Sequence, residues 1–402
     1  MMRYLIAATL ILVATSAFAQ NYAIKGKTVY TMAGKAIADG VVLIENGKIK
    51  DVGTQKKVKI PKGYEVVDGE VVTPGLIDAH TVVGFSGYLN QDHDQDQLER
   101  SSSVQPELRA IDAYNARETL VEWVRQHGVT TIHTGHGPGT LISGQTMIVK
   151  TSGDSVDEAM VKPQSMLAAT LTSAARGGKG SPGTRAKMMA VLRGKLLGAQ
   201  AYKKKLDKAE EGKEPARDLA NEALVQVLNG ELPLMITVDR AQDILNALRL
   251  AEEFGIKLAI DSAAEGHLVM DEIKKSGFPV FIHPTMKRSF GEAENMTMEA
   301  AHILREAGIP VAFQSGFEGY VPKTRVVLFE AAIAAANGLG MEGALAVSTI
   351  EAAKILGIDD RVGSLEKGKD ADVVVFNGDP FEYLTTVQHV FINGKHVSDK
   401  NR

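Results

Sequence analysis

Between Val71 and Gly316 the chain alternates short, wholly apolar runs with longer amphipathic stretches. The runs are VVTPGLIDAH, GVTTIHTG, QTMIVK, LPLMITVD, KLAIDSA, FPVFIHPT and IPVAFQSG. Runs that are apolar throughout, rather than at every second residue, belong to strands buried on both faces, as in a parallel sheet covered by helices. Seven such runs and a weaker eighth near Gln164 to Ala169, spread over roughly 290 residues, predict an α/β protein built as a (β/α)8 TIM barrel. A doubly wound open sheet is the structural runner-up.

The intervening stretches carry helical stripes. Leu108, Ile111, Leu120, Trp123 and Val124 form one, closed by Gly128. Met188, Leu192, Leu196 and Ala199 form another, inside a helical insertion over about 184–228. Its charged run Lys203 to Arg217 reads as a solvated helix-turn-helix tip. The two ends of the chain follow a different pattern of alternating strands and tight turns. Asn-Gly pairs at 46–47, 377–378 and 393–394 supply the positive φ angles of two-residue hairpins. Residues 20–72 and 364–402 are therefore expected to form a small composite β-sandwich beside a barrel spanning 73–363.

The opening MMRYLIAATLILVATSAFAQ has Arg3, an apolar run from Leu5 to Val13 and an Ala17-Phe18-Ala19 cleavage pattern. It predicts a signal peptide over residues 1–19 and export to periplasm or medium, with no membrane span after its removal. A retained membrane anchor is the alternative. The 402 residues contain no cysteine, which excludes disulfides and thiolate chemistry. A formal net charge of -4, with both signs interspersed, offers nothing to gather nucleic acid or a membrane surface.

In a barrel of this kind the working groups sit where strands end and βα loops begin. Those positions hold Asp78 and His80, His133 and His136, Thr237 and Asp239, Asp261 and Ser262, His283, and Ser315, Gly316 and Glu318. Histidine ligates metals and moves protons, and carboxylates complete such sites. His80, His133, His136 and His283 are the candidate metal ligands, Glu318 is the candidate base, and Thr237, Asp239, Asp261 and Ser315 are the candidate pocket. His93 lies in a polar loop. His127, His267, His302, His389 and His396 fall on helices or on the terminal β unit and read as structural.

VVTPGLIDAHT, HGVTT, MEGALAVSTIEAAKILGI and GSLEKGKDADVVVFNGDPFEY, followed by VQHVFINGKHV, resemble the amidohydrolase superfamily in its imidazolonepropionase-like branch. The likeness runs from about Lys27 to Val397. It implies hydrolysis of amide or cyclic amide C–N bonds by a hydroxide held on one or two divalent metals, zinc or similar. It further implies a His-x-His pair closing the first strand, a bridging lysine on the fourth, histidines on the fifth and sixth, and an aspartate on the last. Against that pattern His80 matches, while Val82, Met166, Thr237, Asp261 or Ser262, and Gly316 stand at the other positions. Two functions follow as expectations. One is an exported hydrolase with a divalent metal relocated onto His80, His133, His136 and His283. The other is a non-catalytic relative without metal that binds a small amide-type ligand, as a homo-oligomer or paired with an active amidohydrolase.

Overall fold

Asn46-Gly47 and Asn393-Gly394 adopt positive φ angles, 52° and 80° in the first pair and 49° and 72° in the second. They close the hairpins β2 (Ile37–Glu45) to β3 (Lys48–Thr54) and β15 (Val387–Ile392) to β16 (Lys395–Ser398). Asn377-Gly378 behaves differently. β14 (Val373–Phe376) reaches β15 through the longer loop 377–386, in which the Asn377 side chain accepts from Thr386 N at 2.7 Å. With β1 (Tyr22–Val29) and β4 (Glu65–Pro74), these strands form one sheet in the order β16-β15-β14-β4-β1-β2-β3. β4 lies between β1 and β14, so both ends of the chain share a single terminal β unit, in keeping with the expected composite β-sandwich. Tyr22, Ile24, Ile44, Val72, Val375 and Phe391 fill its core.

The computed structural model describes residues 20–177, 180–283, 289–317 and 326–402. The expected signal at 1–19 and the candidate base Glu318 lie outside them. Among the described residues, no single helix is long and apolar enough to cross a membrane.

The chain passes from the terminal sheet into the barrel at Gly75, where a Cβ would stand 2.0 Å from Thr130 Oγ1. Only glycine fits there, and β4 continues almost directly into β5 (Leu76–Thr81). The barrel ring then contains β6 (Val129–Gly135), β7 (Ile142–Lys150), β9 (Leu167–Thr170), β10 (Leu234–Val238), β11 (Leu258–Ser262), β12 (Val280–Ile282) and β13 (Val311–Phe313), with the short β8 (Met160–Lys162) flanking β7. A bridge between Thr81 and Gly316 joins the last strand back to the first. The predicted (β/α)8 barrel is present, with one departure. β7, the QTMIVK strand, runs antiparallel to both β6 and β9. Its link from β6 is 136–141, too short for the crossover that a parallel neighbour requires.

The helical stripe at 108–124 is also shorter than expected. Glu118 accepts from Leu120 N at 2.6 Å and starts the helix at Thr119–Gln126, leaving Leu108 in the preceding loop and Ile111 in a separate 3-10 turn, Ala110–Asp112. The insertion forms two helices, Arg185–Leu206 and Leu219–Leu228.

Inside the barrel, Ile77, Ala79, Ile148, Met166, Ala168, Met235, Ala259, Phe281 and Ala312 pack with Leu356 and Ile358 from the last helix and its end. This apolar layer forms a floor. Strand side chains alternate with period two, so the next inward positions toward the mouth are Thr237, Asp261, His283 and Gln314.

Candidate functional site

Asp261 organises the polar layer above that floor. Its Oδ1 accepts from His80 Nδ1 at 2.9 Å and from Gln314 Nε2 at 2.5 Å, and its Oδ2 accepts from Thr237 Oγ1 at 2.6 Å. All four side chains are buried. His80 would alternate away from the interior on a regular strand. The β5–β6 register slips between Asp78 and Thr81, and this irregularity turns the imidazole inward.

Burial opposes a charge on His80 most strongly. The Asp261 carboxylate, its hydrogen bond and Asp78 outweigh it, so the imidazole sits above its ordinary range. The second ring nitrogen, Nε2, is buried with no side-chain partner among the described residues and lies beside the His136 backbone. Gln314 points its amide nitrogen toward Asp261 and Phe281 O, which leaves its oxygen unpartnered as well. Phe317 stands beside the His80 ring, with centroids 6.2 Å apart, and meets His283 edge-on at 5.1 Å.

Asp78 supports the centre from one side. Its oxygens accept from Ser315 Oγ at 2.5 Å, from Ser315 N at 3.1 Å and from His80 N at 3.2 Å. Burial nevertheless pushes its carboxyl up to about 7, against the pull of those donors. Ser262, the last residue of β11, and Ala263 after it have φ of 77° and 54°, and Ser262 Oγ donates to Asp239 Oδ1 at 2.5 Å. Two successive non-glycine residues in this region are costly, and such strain gathers at functional sites.

Among the described residues the candidate metal ligands do not gather into a set of three, although the His80 and His133 rings are neighbours with centroids 6.1 Å apart. His133 donates from Nδ1 to Ala79 O at 2.6 Å, so in the neutral ring Nε2 is the acceptor and takes the Thr146 hydroxyl at 2.6 Å. Burial, and then the charge on His80, lowers this histidine to about 3, so it stays neutral with both nitrogens occupied. His136 packs against Phe85, with centroids 5.8 Å apart, and lies over Gly144, where a Cβ would stand 2.3 Å from its Cδ2. Burial lowers it to about 4, and neither ring nitrogen is hydrogen-bonded among the described residues. Met166 belongs to the apolar floor, and β9 presents Thr170 at the level of Thr237.

Among the described residues, no three His, Asp or Glu side chains form a group that could hold a metal. The donor chemistry agrees. His80 Nδ1 is committed to Asp261, and Val82, Thr237, Thr170 and Gly316 are poor or absent donors for zinc. Among the described residues, this donor set does not fit a divalent metal at the mouth. Sequence reasoning located Thr237, Asp261 and Ser315 at the strand ends but missed Gln314, Phe317 and Thr146. Gln314 was within reach, since it stands two residues after the floor residue Ala312.

Comparison with known proteins agrees with this architecture. The model of the amidohydrolase family matches residues 294–397. The fold superposes on the crystal structure of an amidohydrolase from Thermotoga maritima MSB8 with a TM-score of 0.87 and 30% identity, covering 94% of this chain and 100% of that one. An imidazolonepropionase of Thermoplasma volcanium is 22% identical over 91% of this chain and 92% of its own length. Amidohydrolase tasK of Hapsidospora irregularis is 24% identical over 88% of this chain, which spans 39% of that longer protein.

Proposed function

The chain belongs to the amidohydrolase superfamily, in its imidazolonepropionase-like branch, a family that acts on C–N bonds, and from that premise we propose that this member binds a small amide-type ligand at a metal-free centre built on His80 and Asp261. The observation that carries the reading is the commitment of Asp261 to three side-chain donors, which replaces a ligand set with an internal ion pair. Asp261 favours the charged form of the imidazole, in which Nε2–H suits a carbonyl oxygen, and the unpartnered Gln314 oxygen suits an N–H. Recognition without metal-dependent hydrolysis is the function this geometry supports best.

A second reading, hydrolysis without a metal at the mouth, is favoured by Asp78. A buried carboxyl near 7 sits in the range where general acid–base groups work. The signal pattern at the amino terminus supports action in the periplasm or medium. An active amidohydrolase, or a second copy of this chain, is the partner that the binding reading would call for.

The test is elemental analysis of protein prepared without chelators and offered zinc, manganese and iron, combined with calorimetry against lactams and dipeptide amides. We expect no metal whose retention depends on His80, and amide binding that weakens about tenfold or more in Asp261→Asn. A stoichiometric metal lost on His80→Ala, or cleavage of those amides that needs such a metal, would overturn the proposal. Cleavage without metal would select the second reading.

A further inference from the structure

A second pair of histidines lies in the terminal sheet, on the β15–β16 hairpin, and shares no residue with the mouth. The register sets Phe391 opposite His396 and brings His389 Nδ1 to 3.1 Å from His396 Nε2. The ring centroids are 5.1 Å apart and the planes are inclined by 51°. A straight hydrogen bond of that length between two imidazoles would separate the centroids by about 5.4 Å. Two imidazoles on one tetrahedral metal, with bonds of about 2.0–2.1 Å, would hold them about 5.2 Å apart. On such a metal the two donor nitrogens would stand about 3.3–3.4 Å apart, so the hydrogen-bonded pair at 3.1 Å needs to open by only a few tenths of an ångström to admit one.

We propose that His389 and His396 form a two-histidine binding site for a borderline divalent cation, Zn(II) or Cu(II), with water completing the coordination. Imidazole is a suitable donor for both ions. Phe391 stacks on His396 at 4.7 Å and 15°, and Tyr22 meets the same ring edge-on at 6.2 Å, so one donor is held in place before a metal arrives. Both histidines are half-buried, which leaves a path for an ion and its waters. Asp399 and Glu65 face His389 and supply negative charge beside the site. Two protein nitrogens bind more weakly than the three or four of a closed site, so the site suits reversible uptake.

The test uses the full chain, freed of metal and titrated with Zn(II), with Cu(II) as a spectroscopic probe. We expect about one equivalent bound per chain. Affinity should fall about a hundredfold in His389→Ala and in His396→Ala, because each removes one of two linked donors, and should be unchanged in His80→Ala. The paramagnetic spectrum of the Cu(II) form should show hyperfine coupling to two imidazole nitrogens. That readout on the unsubstituted protein stands even where a variant folds poorly. Absence of binding, affinity unchanged in either histidine variant, or a spectrum without two coupled nitrogens would overturn the proposal.

Discussion

At the residue scale, Asp261 is the most consequential side chain at the mouth, because three donors depend on it and all four groups are buried. Asp261→Asn strips His80 of its counter-charge. Unfolding in urea should show a loss of about 3–5 kcal/mol, whereas replacing His80 and Asp261 together with apolar residues of similar volume should cost less. His133 and His136 govern the response to acid. Their folded values, lowered to about 3 and about 4, lie below the ordinary 6.5, so between those limits the unfolded chain binds more protons than the folded one. Stability is therefore retained above pH 6.5 and lost as pH falls toward 4. Unfolding free energies from urea melts between pH 7 and pH 4.5 should fall less steeply in His136→Gln, by about 2.5 kcal/mol at the acid end. Gly144 has φ of 136° and carries the His136 ring directly. Gly144→Ala should lower the unfolding midpoint and displace the His136 imidazole resonances, since an added Cβ meets both a strained backbone and a ring.

At the element scale, the reversed strand β7 sets up two features. Its short approach from β6 carries His136 over the mouth, and its far end places Lys150 against the terminal sheet. Lys150 Nζ lies 2.6 Å from Asp372 and 3.4 Å from Asp370, and the latter also meets Lys48 at 2.6 Å and Arg361 at 2.9 Å. Lys150, Asp370 and Asp372 are buried, so this cluster joins barrel to sheet through charges that depend on one another. Lys150→Met leaves Asp372 buried without its ammonium partner. Chemical denaturation should report a loss of about 3–5 kcal/mol. Lys48→Met, at a half-exposed side chain, should cost about 1 kcal/mol or less.

At the scale of the whole molecule, the terminal sheet cannot be assembled from one end of the chain. β4 is flanked by β1 on one side and β14 on the other, and Phe391 packs in the same core as Tyr22 and Ile24. A chain cut after Gly363 would expose the long edge of β4 and half of that core. Size-exclusion chromatography should find it aggregated rather than monomeric. The barrel and the paired ends were legible beforehand because both rest on local pattern: apolar runs of strand length, helical stripes between them, and Asn-Gly at two of three predicted turns.

The limits of that legibility are equally local. Periodicity records how buried a strand is but not its direction, so β7 read as one more parallel strand even though the short link 136–141 argued for a hairpin. The strand-end polar residues were likewise visible one at a time, and their partners were not. His80 meets Asp261 across 181 positions of sequence, and Ser315 meets Asp78 across 237. By itself the sequence determined the fold class, the family, and the absence of the expected histidine at Val82, since each depends on residue type at a given position. Only the tertiary structure decided that His80 turns inward at a slipped register, that Asp261 takes up its nitrogen, and that His133 is spent on Ala79 and Thr146. Those outcomes depend on distances between strands remote in sequence, and barrel closure sets them.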